Sequence, residues 1–192
     1  MKVLVLFLCL FSFLPSIGQE TVIPNKDQDE SFMSLSVYQD LKLLFAGDDL
    51  GNGAFTPDVL VKLEVDAFIL KKSSFHFYLG AEYADLKSSS FKRFFLGFGY
   101  KTSFPFLKKF VFGTSIDHGL LLRGKSSFLG DVKVEESSFM GLSLNFETSY
   151  PITNKTRLSL MLQAIDRKDL SIRFITGNTI RYSIYFGAKF AL

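Results

Sequence analysis

Apolar and polar residues take turns along most of this chain. Val59, Val61, Leu63, Val65, Ala67 and Ile69 alternate with Leu60, Lys62, Glu64, Asp66 and Phe68. Phe94, Leu96, Phe98 and Tyr100 alternate with Arg93, Phe95, Gly97, Gly99 and Lys101. The pattern returns at Met140, Leu142, Leu144 and Phe146, and again at Leu158, Leu160, Leu162 and Ala164. A period of two belongs to β-strands whose two faces meet different surroundings. Eight such segments are predicted, at 32–45, 59–70, 75–84, 92–102, 109–122, 138–150, 157–165 and 179–192. Most reach the roughly 9–11 residues with which a tilted strand crosses a bilayer.

The connectors alternate too. Those after the second, fourth and sixth segments are short, at 71–73, 103–107 and 151–155. The others, 46–58, 85–91, 123–137 and 166–178, are generally longer. Tight turns at one end and longer loops at the other are how transmembrane barrels are built.

The first residues follow a different rule. Met1-Lys2 is followed by an apolar run from Val3 to Leu14, too short to span a membrane as a helix. Small residues at Ser16 and Gly18 then predict a secretory signal peptide over 1–18, cut before Gln19. Residues 19–30 are polar and read as a flexible periplasmic lead-in, leaving 31–192 as the barrel domain. Cys9 is the single cysteine and lies in the predicted signal, so the mature chain has no disulfide framework and no thiolate chemistry. A net charge of +3 without a basic block argues against nucleic acid as a partner. Yet 47% hydrophobic residues, 23 of them phenylalanine, are a large load for a soluble secreted domain.

Two barrels compete for this pattern. A soluble lipocalin-like barrel turns its apolar face inward around a small apolar ligand. An outer-membrane barrel turns that face to lipid and fills its interior with polar groups. Gly80, Gly97, Gly99, Gly113, Gly119, Gly141 and Gly187 all fall on the polar face, where a narrow eight-stranded interior needs small residues. The same face carries Asp40, Glu64, Asp66, Glu82, Asp117 and Glu147 beside Lys42, Lys62, Arg93, Lys101, Arg123, Arg157, Arg181 and Lys189. Six acids against eight bases can pair as an interior ionic network. The apolar faces hold almost no small residue and would overfill so narrow an interior. Tyr83, Tyr100, Tyr150 and Tyr182 sit near segment ends on that face, where an interfacial girdle belongs. The membrane orientation is therefore expected: an all-β, eight-stranded, antiparallel up-and-down transmembrane β-barrel.

In this pattern of segments, with its Pro151-Ile152-Thr153-Asn154-Lys155 turn and C-terminal strand, the chain resembles the small eight-stranded bacterial outer-membrane β-barrel proteins of the OmpX type and the OmpA membrane domain. The resemblance implies an outer-membrane location, with the short turns periplasmic and the longer loops extracellular. It also implies that the last strand is read by the barrel assembly machinery. Tyr182, Ile184, Phe186, Phe190 and Leu192 match that signal, although it usually ends in an aromatic residue and here ends in leucine.

Candidate chemistry is sparse. His76 shares the polar face with Tyr78 and Glu82 and is expected as a hydrogen-bonded interior group. His118 falls on the apolar face, and some small barrels are lipid A-modifying enzymes with an outward histidine. Such an enzyme needs a serine and an acid close by. Ile116 and Leu120 offer neither; Ser138 and Glu136 are the nearest candidates. An EF-hand frame begun at Asp48 puts Val59 where a glutamate is required, so Asn52-Gly53 reads as a tight turn. No catalytic residue, metal ligand or cofactor is assigned. An interior crowded with charge leaves little room for conduction. The predicted role is a structural or surface-interaction platform that meets outer-membrane lipid, with an unidentified loop partner engaged through strand edges or loops. The soluble ligand carrier and the lipid-modifying enzyme are the alternatives.

Overall fold

The computed structural model describes residues 32–45, 58–70, 72–85, 90–107, 109–124, 126–127, 133–134, 137–166 and 180–192. The predicted signal peptide, the lead-in to residue 30 and the Asp48–Gly53 turn lie outside these residues, as does all of the 166–178 loop beyond Asp166. Ten strands appear among them: β1 (Met33–Asp40), β2 (Asp58–Leu70), β3 (Ser73–Asp85), β4 (Ser90–Ser103), β5 (Val111–Arg123), β6 (Ser126–Ser127), β7 (Lys133–Val134), β8 (Ser137–Pro151), β9 (Thr156–Asp166) and β10 (Ile180–Ala191). A short helix, α1 (Leu41–Phe45), follows β1.

Eight of the strands close into one antiparallel barrel in the order β1-β10-β9-β8-β5-β4-β3-β2. Strands β6 and β7 form a small separate hairpin within the long connector from β5 to β8. Closure comes from β1 against β10, where Ser36 pairs with Lys189 and Tyr38 with Gly187. The Leu192 N–H donates to the Met33 carbonyl at 3.0 Å, so the last residue completes the seam. A closed sheet has no free edge within the barrel.

Parity decides what each face meets. Lys62, Glu64, His76, Glu82, Arg93, Asp117, Asn145, Gln163, Arg181 and Lys189 are buried. Their strand neighbours Val61, Phe77, Leu79, Phe94, Leu96, Leu142, Leu162 and Ile184 are exposed, Leu96 at 71%. The apolar series is on the outside. A soluble carrier of an apolar ligand needs the opposite arrangement.

Two predicted details change. The first segment was expected to run as a strand to Phe45, with Lys42 facing inward. The strand instead stops at Asp40, and Lys42 lies on α1, half-buried. The reason is local: Asp40 Oδ1 accepts hydrogen bonds from the Lys42 N–H at 2.7 Å and the Leu43 N–H at 3.3 Å. This is an aspartate N-cap, which satisfies otherwise orphaned amides and starts a helix. The second change is in β2, whose pairing with β3 slips between Asp66 and Phe68. A bulge at Ala67 adds one residue and reverses the parity beyond it. Phe68, expected among the interior positions, pairs with outward Phe75 and is 65% exposed.

Candidate functional site

The barrel interior holds most of the chemically distinctive groups, stacked in three levels. At the short-turn end Glu64 is enclosed by bases. Lys189 Nζ lies 2.8 Å and Lys62 Nζ 3.3 Å from its carboxylate, and Lys101 is in direct contact. Lys62 also donates to Glu147 at 2.6 Å, and Lys189 reaches the same carboxylate at 3.3 Å. Lys101 binds Asp66 at 2.8 Å, and Ser159 donates to Glu147 at 2.9 Å. The Lys62 ammonium further sits over the rings of Tyr38 and Tyr78 at 5.7 and 5.1 Å. Three lysines against three carboxylates balance formally. That matters because an unmatched charge out of water costs several kcal/mol, on the order of 3–5 when a partner is removed.

The middle level turns on Arg93. Its Nη1 donates to Glu82 at 3.1 Å and to Gln163 at 3.2 Å, while Nη2 contacts Asp117 and Ser143. The guanidinium lies 4.4 Å from the centre of the Phe95 ring. Asn145 donates to Asp117 at 2.8 Å, Gln163 to Asn145 at 2.8 Å, and Tyr185 to Glu82 at 2.6 Å. These bonds link β3, β4, β5, β8, β9 and β10 across the lumen. The planar, five-donor guanidinium suits this hub better than an ammonium would.

At the loop end the interior becomes apolar. Leu43 of α1 packs in a buried cluster with Ala84, Phe91, Leu121 and Ile165. The capping residue Asp40 faces Arg181 at 3.8 Å just below. The space among Asp40, Glu82, Arg181 and Tyr185 amounts to about 10 Å³, and that beside His76, Lys101, Glu147 and Lys189 is of the same size. Each is of the order of a single water. Charge, aromatic rings and the apolar cap fill the interior around these two spaces.

Interior aromatics account for several of the glycines. Tyr38, Leu60, Tyr78, Phe95, Met161 and Tyr185 form a second buried cluster at mid-height. A Cβ on Gly97 would lie 2.6 Å from the Tyr78 hydroxyl oxygen, and one on Gly80 would run into the Phe95 ring. Backbone without side chain is what lets these rings lie flat against the wall. Sequence parity already places the aromatics inside; the glycines facing them were the signal that they act as filling.

The remaining predicted positions are distributed as follows. Arg157 is half-buried on β9, in register with Lys189, and Arg123 is the last residue of β5, in register with Phe91. Tyr182, Ile184, Phe186, Phe190 and Leu192 all point outward along the final strand. His76 is buried with its Nε2 3.7 Å from Glu64. His118 is exposed between Leu96 and Leu142. Ser138 pairs with Leu122, four residues further along that face, roughly 13 Å from His118. The two are not brought together, and Glu136 lies outside the described residues.

Glu64, Asp66 and His76 offer ligand atoms within 4.8 Å of one another. Lys101 contacts both carboxylates, and Lys62 and Lys189 hold Glu64 from the other sides. A divalent cation there would meet three ammonium groups, so the cluster does not suit a metal.

No family model and no curated protein matches the chain. Solved structures do. The crystal structure of Ail, the attachment invasion locus protein of Yersinia pestis, aligns over 82% of this chain and 94% of its own, with 8% identity and a TM-score of 0.52. The same protein in a phospholipid bilayer nanodisc aligns over 82% of this chain and 97% of its own, with 10% identity and a TM-score of 0.51. Neisserial surface protein A aligns over 83% of this chain and 95% of its own, with 13% identity and a TM-score of 0.47. The fold is that of the small eight-stranded outer-membrane barrels.

Proposed function

We propose that this chain is an integral outer-membrane barrel that acts as a rigid platform for its longer connectors. One observation carries the reading: large apolar side chains stand exposed on every strand of the barrel, while the described charged residues of the same strands, Lys92 apart, are buried or half-buried. Water would penalise such an exterior; hydrocarbon does not. Among the described residues the lumen is filled by charged and aromatic side chains and capped by Leu43, and the two spaces described above are each of the order of one water. Specific recognition therefore falls to the surface at the loop end. Ail, the attachment invasion locus protein of Yersinia pestis, is a barrel with which this chain shares a fold. Attachment to a partner through the connectors is the corresponding role here, and the final strand serves as the insertion signal.

Cell fractionation tests the first half. The folded chain is expected in the outer membrane, with unboiled and boiled samples migrating differently on gels. Recovery from the soluble periplasm would overturn it. Shortening the 123–137 and 166–178 connectors tests the second. Crosslinking of the intact chain in cells should capture a surface partner that the shortened chain loses. Unchanged capture would place recognition elsewhere.

A further inference from the structure

The three tight turns share a chemistry that the loops lack. The turns at 71–72, 104–110 and 152–155 contain lysines and no acid, whereas each of the longer connectors at 46–58, 85–91, 123–137 and 166–178 carries at least one acidic residue. Lys72, Lys109 and Lys155 are exposed, one on each of three successive hairpins around the rim. The turns are pinned to the sheet. The Lys72 carbonyl accepts from Ser103 at 2.9 Å, the Lys155 carbonyl from Ala191 at 2.9 Å, and Leu107 from Phe110 at 2.8 Å. The nearby carboxylates, Asp66 and Glu147, are engaged inside by Lys101, Lys62 and Lys189.

A band of aromatic rings accompanies these lysines. Phe106, Phe104, Phe112, Phe110 and Tyr150 follow one another at centroid separations of 5.6, 5.5, 6.2 and 5.1 Å. Phe106, at 79%, is among the most exposed apolar residues described. Aromatic rings settle at the headgroup level, and lysine stems lie along apolar surface while their ammonium groups reach outward.

From this combination we infer that the short-turn rim is a binding collar for anionic phospholipid headgroups, which Lys72, Lys109 and Lys155 contact from above the aromatic band. The inference rests on the membrane-embedded reading proposed above. It adds a lipid selectivity and locates it at one end of the barrel. Each lysine near an anionic surface is worth about a fivefold preference at modest salt.

The test uses the full chain reconstituted in phosphatidylcholine vesicles. Electron paramagnetic resonance compares spin-labelled phosphatidylglycerol with spin-labelled phosphatidylcholine in the motionally restricted lipid shell. Wild-type protein should favour phosphatidylglycerol by about fivefold or more at low salt, and by much less at 1 M salt. K72Q/K109Q/K155Q should fall to under about twofold, judged against the same per-lysine scale. K92Q, at the loop end, should keep the wild-type preference. Equal retention of both lipids by wild type, or an unchanged preference in the triple variant, overturns the collar. An absence of restricted lipid of either kind overturns the membrane reading instead. Gel migration of unboiled samples verifies that each variant is folded. Should the triple variant not fold, K109Q and K155Q singly must each lower the preference.

Discussion

Arg93 and Glu82 sit directly opposite one another on β4 and β3, and their side chains meet at 3.1 Å inside the barrel. The pair is the origin of a network rather than an isolated bridge. Glu82 also accepts from Tyr185 of β10, and Arg93 also reaches Asp117, Ser143 and Gln163. Arg93→Ala would therefore leave two buried carboxylates without their cation. We expect a loss of about 3–5 kcal/mol, read as a lower urea midpoint for loss of the fast-migrating folded band. Arg93→Lys should recover only part, since one ammonium cannot fork to both carboxylates.

Gly97→Val should destabilise the barrel by about 1–3 kcal/mol, because a side chain there collides with the Tyr78 ring and the Ile116 carbonyl. Gly113→Ala is the comparison. A Cβ at Gly113 meets only ordinary contacts, the nearest at 3.7 Å, and folding should proceed with little change.

Leu160→Arg places a charge on the exterior of β9, where Leu160 is exposed among apolar neighbours. In bilayers the expected cost is about 2–4 kcal/mol at mid-depth, measured as impaired insertion into lipid vesicles. Phe68→Arg, outward but close to the short turn, should cost about 0–1 kcal/mol, as expected near an interface. A large cost at Phe68 together with a small one at Leu160 would invert the assigned depths.

Asp40→Ala removes the helix cap and the partner of Arg181. Loss of the cap alone is worth about 1 kcal/mol. The amides of Lys42 and Leu43 should exchange with solvent faster in the variant, while those of β3 and β4 keep their protection. Unchanged exchange at 42 and 43 would show that the cap is not what holds α1.

Much of this was readable in advance because the information is local. In β2, Lys62 and Glu64 alternate with Val61 and Leu63, and a strand must send those two sets to opposite faces. Seven of the eight barrel strands lie close to their predicted positions for that reason. The exceptions are instructive. Asp40 ends β1 by accepting hydrogen bonds from two amides beyond it, a choice that Leu41–Phe45 shows only weakly in its side chains. The bulge at Ala67 leaves hydrophobic residues on both sides and becomes visible only through the pairing of Phe68 with Phe75.

The site was legible as a list of charges and not as a set of partners. Tyr185 and Glu82 are 103 positions apart, and Lys62 and Glu147 are 85 apart. Nothing in the neighbourhood of either residue names the other. Registers across the closed sheet decide which charges meet, and the aromatic filling decides which gaps they can occupy.

By itself, then, the sequence determined the strand period, the face that most strand residues take, which face is too bulky for the interior, and the near balance of charge that lets a polar face be buried. Those follow from backbone geometry, which repeats every two residues regardless of context. Tertiary structure decided that Arg93 is the hub, that a bulge at Ala67 turns Phe68 outward, that α1 caps one end, and that three lysines share the rim at the other. Those depend on closure, which brings remote strands to fixed registers and leaves a lumen too narrow for anything but paired side chains.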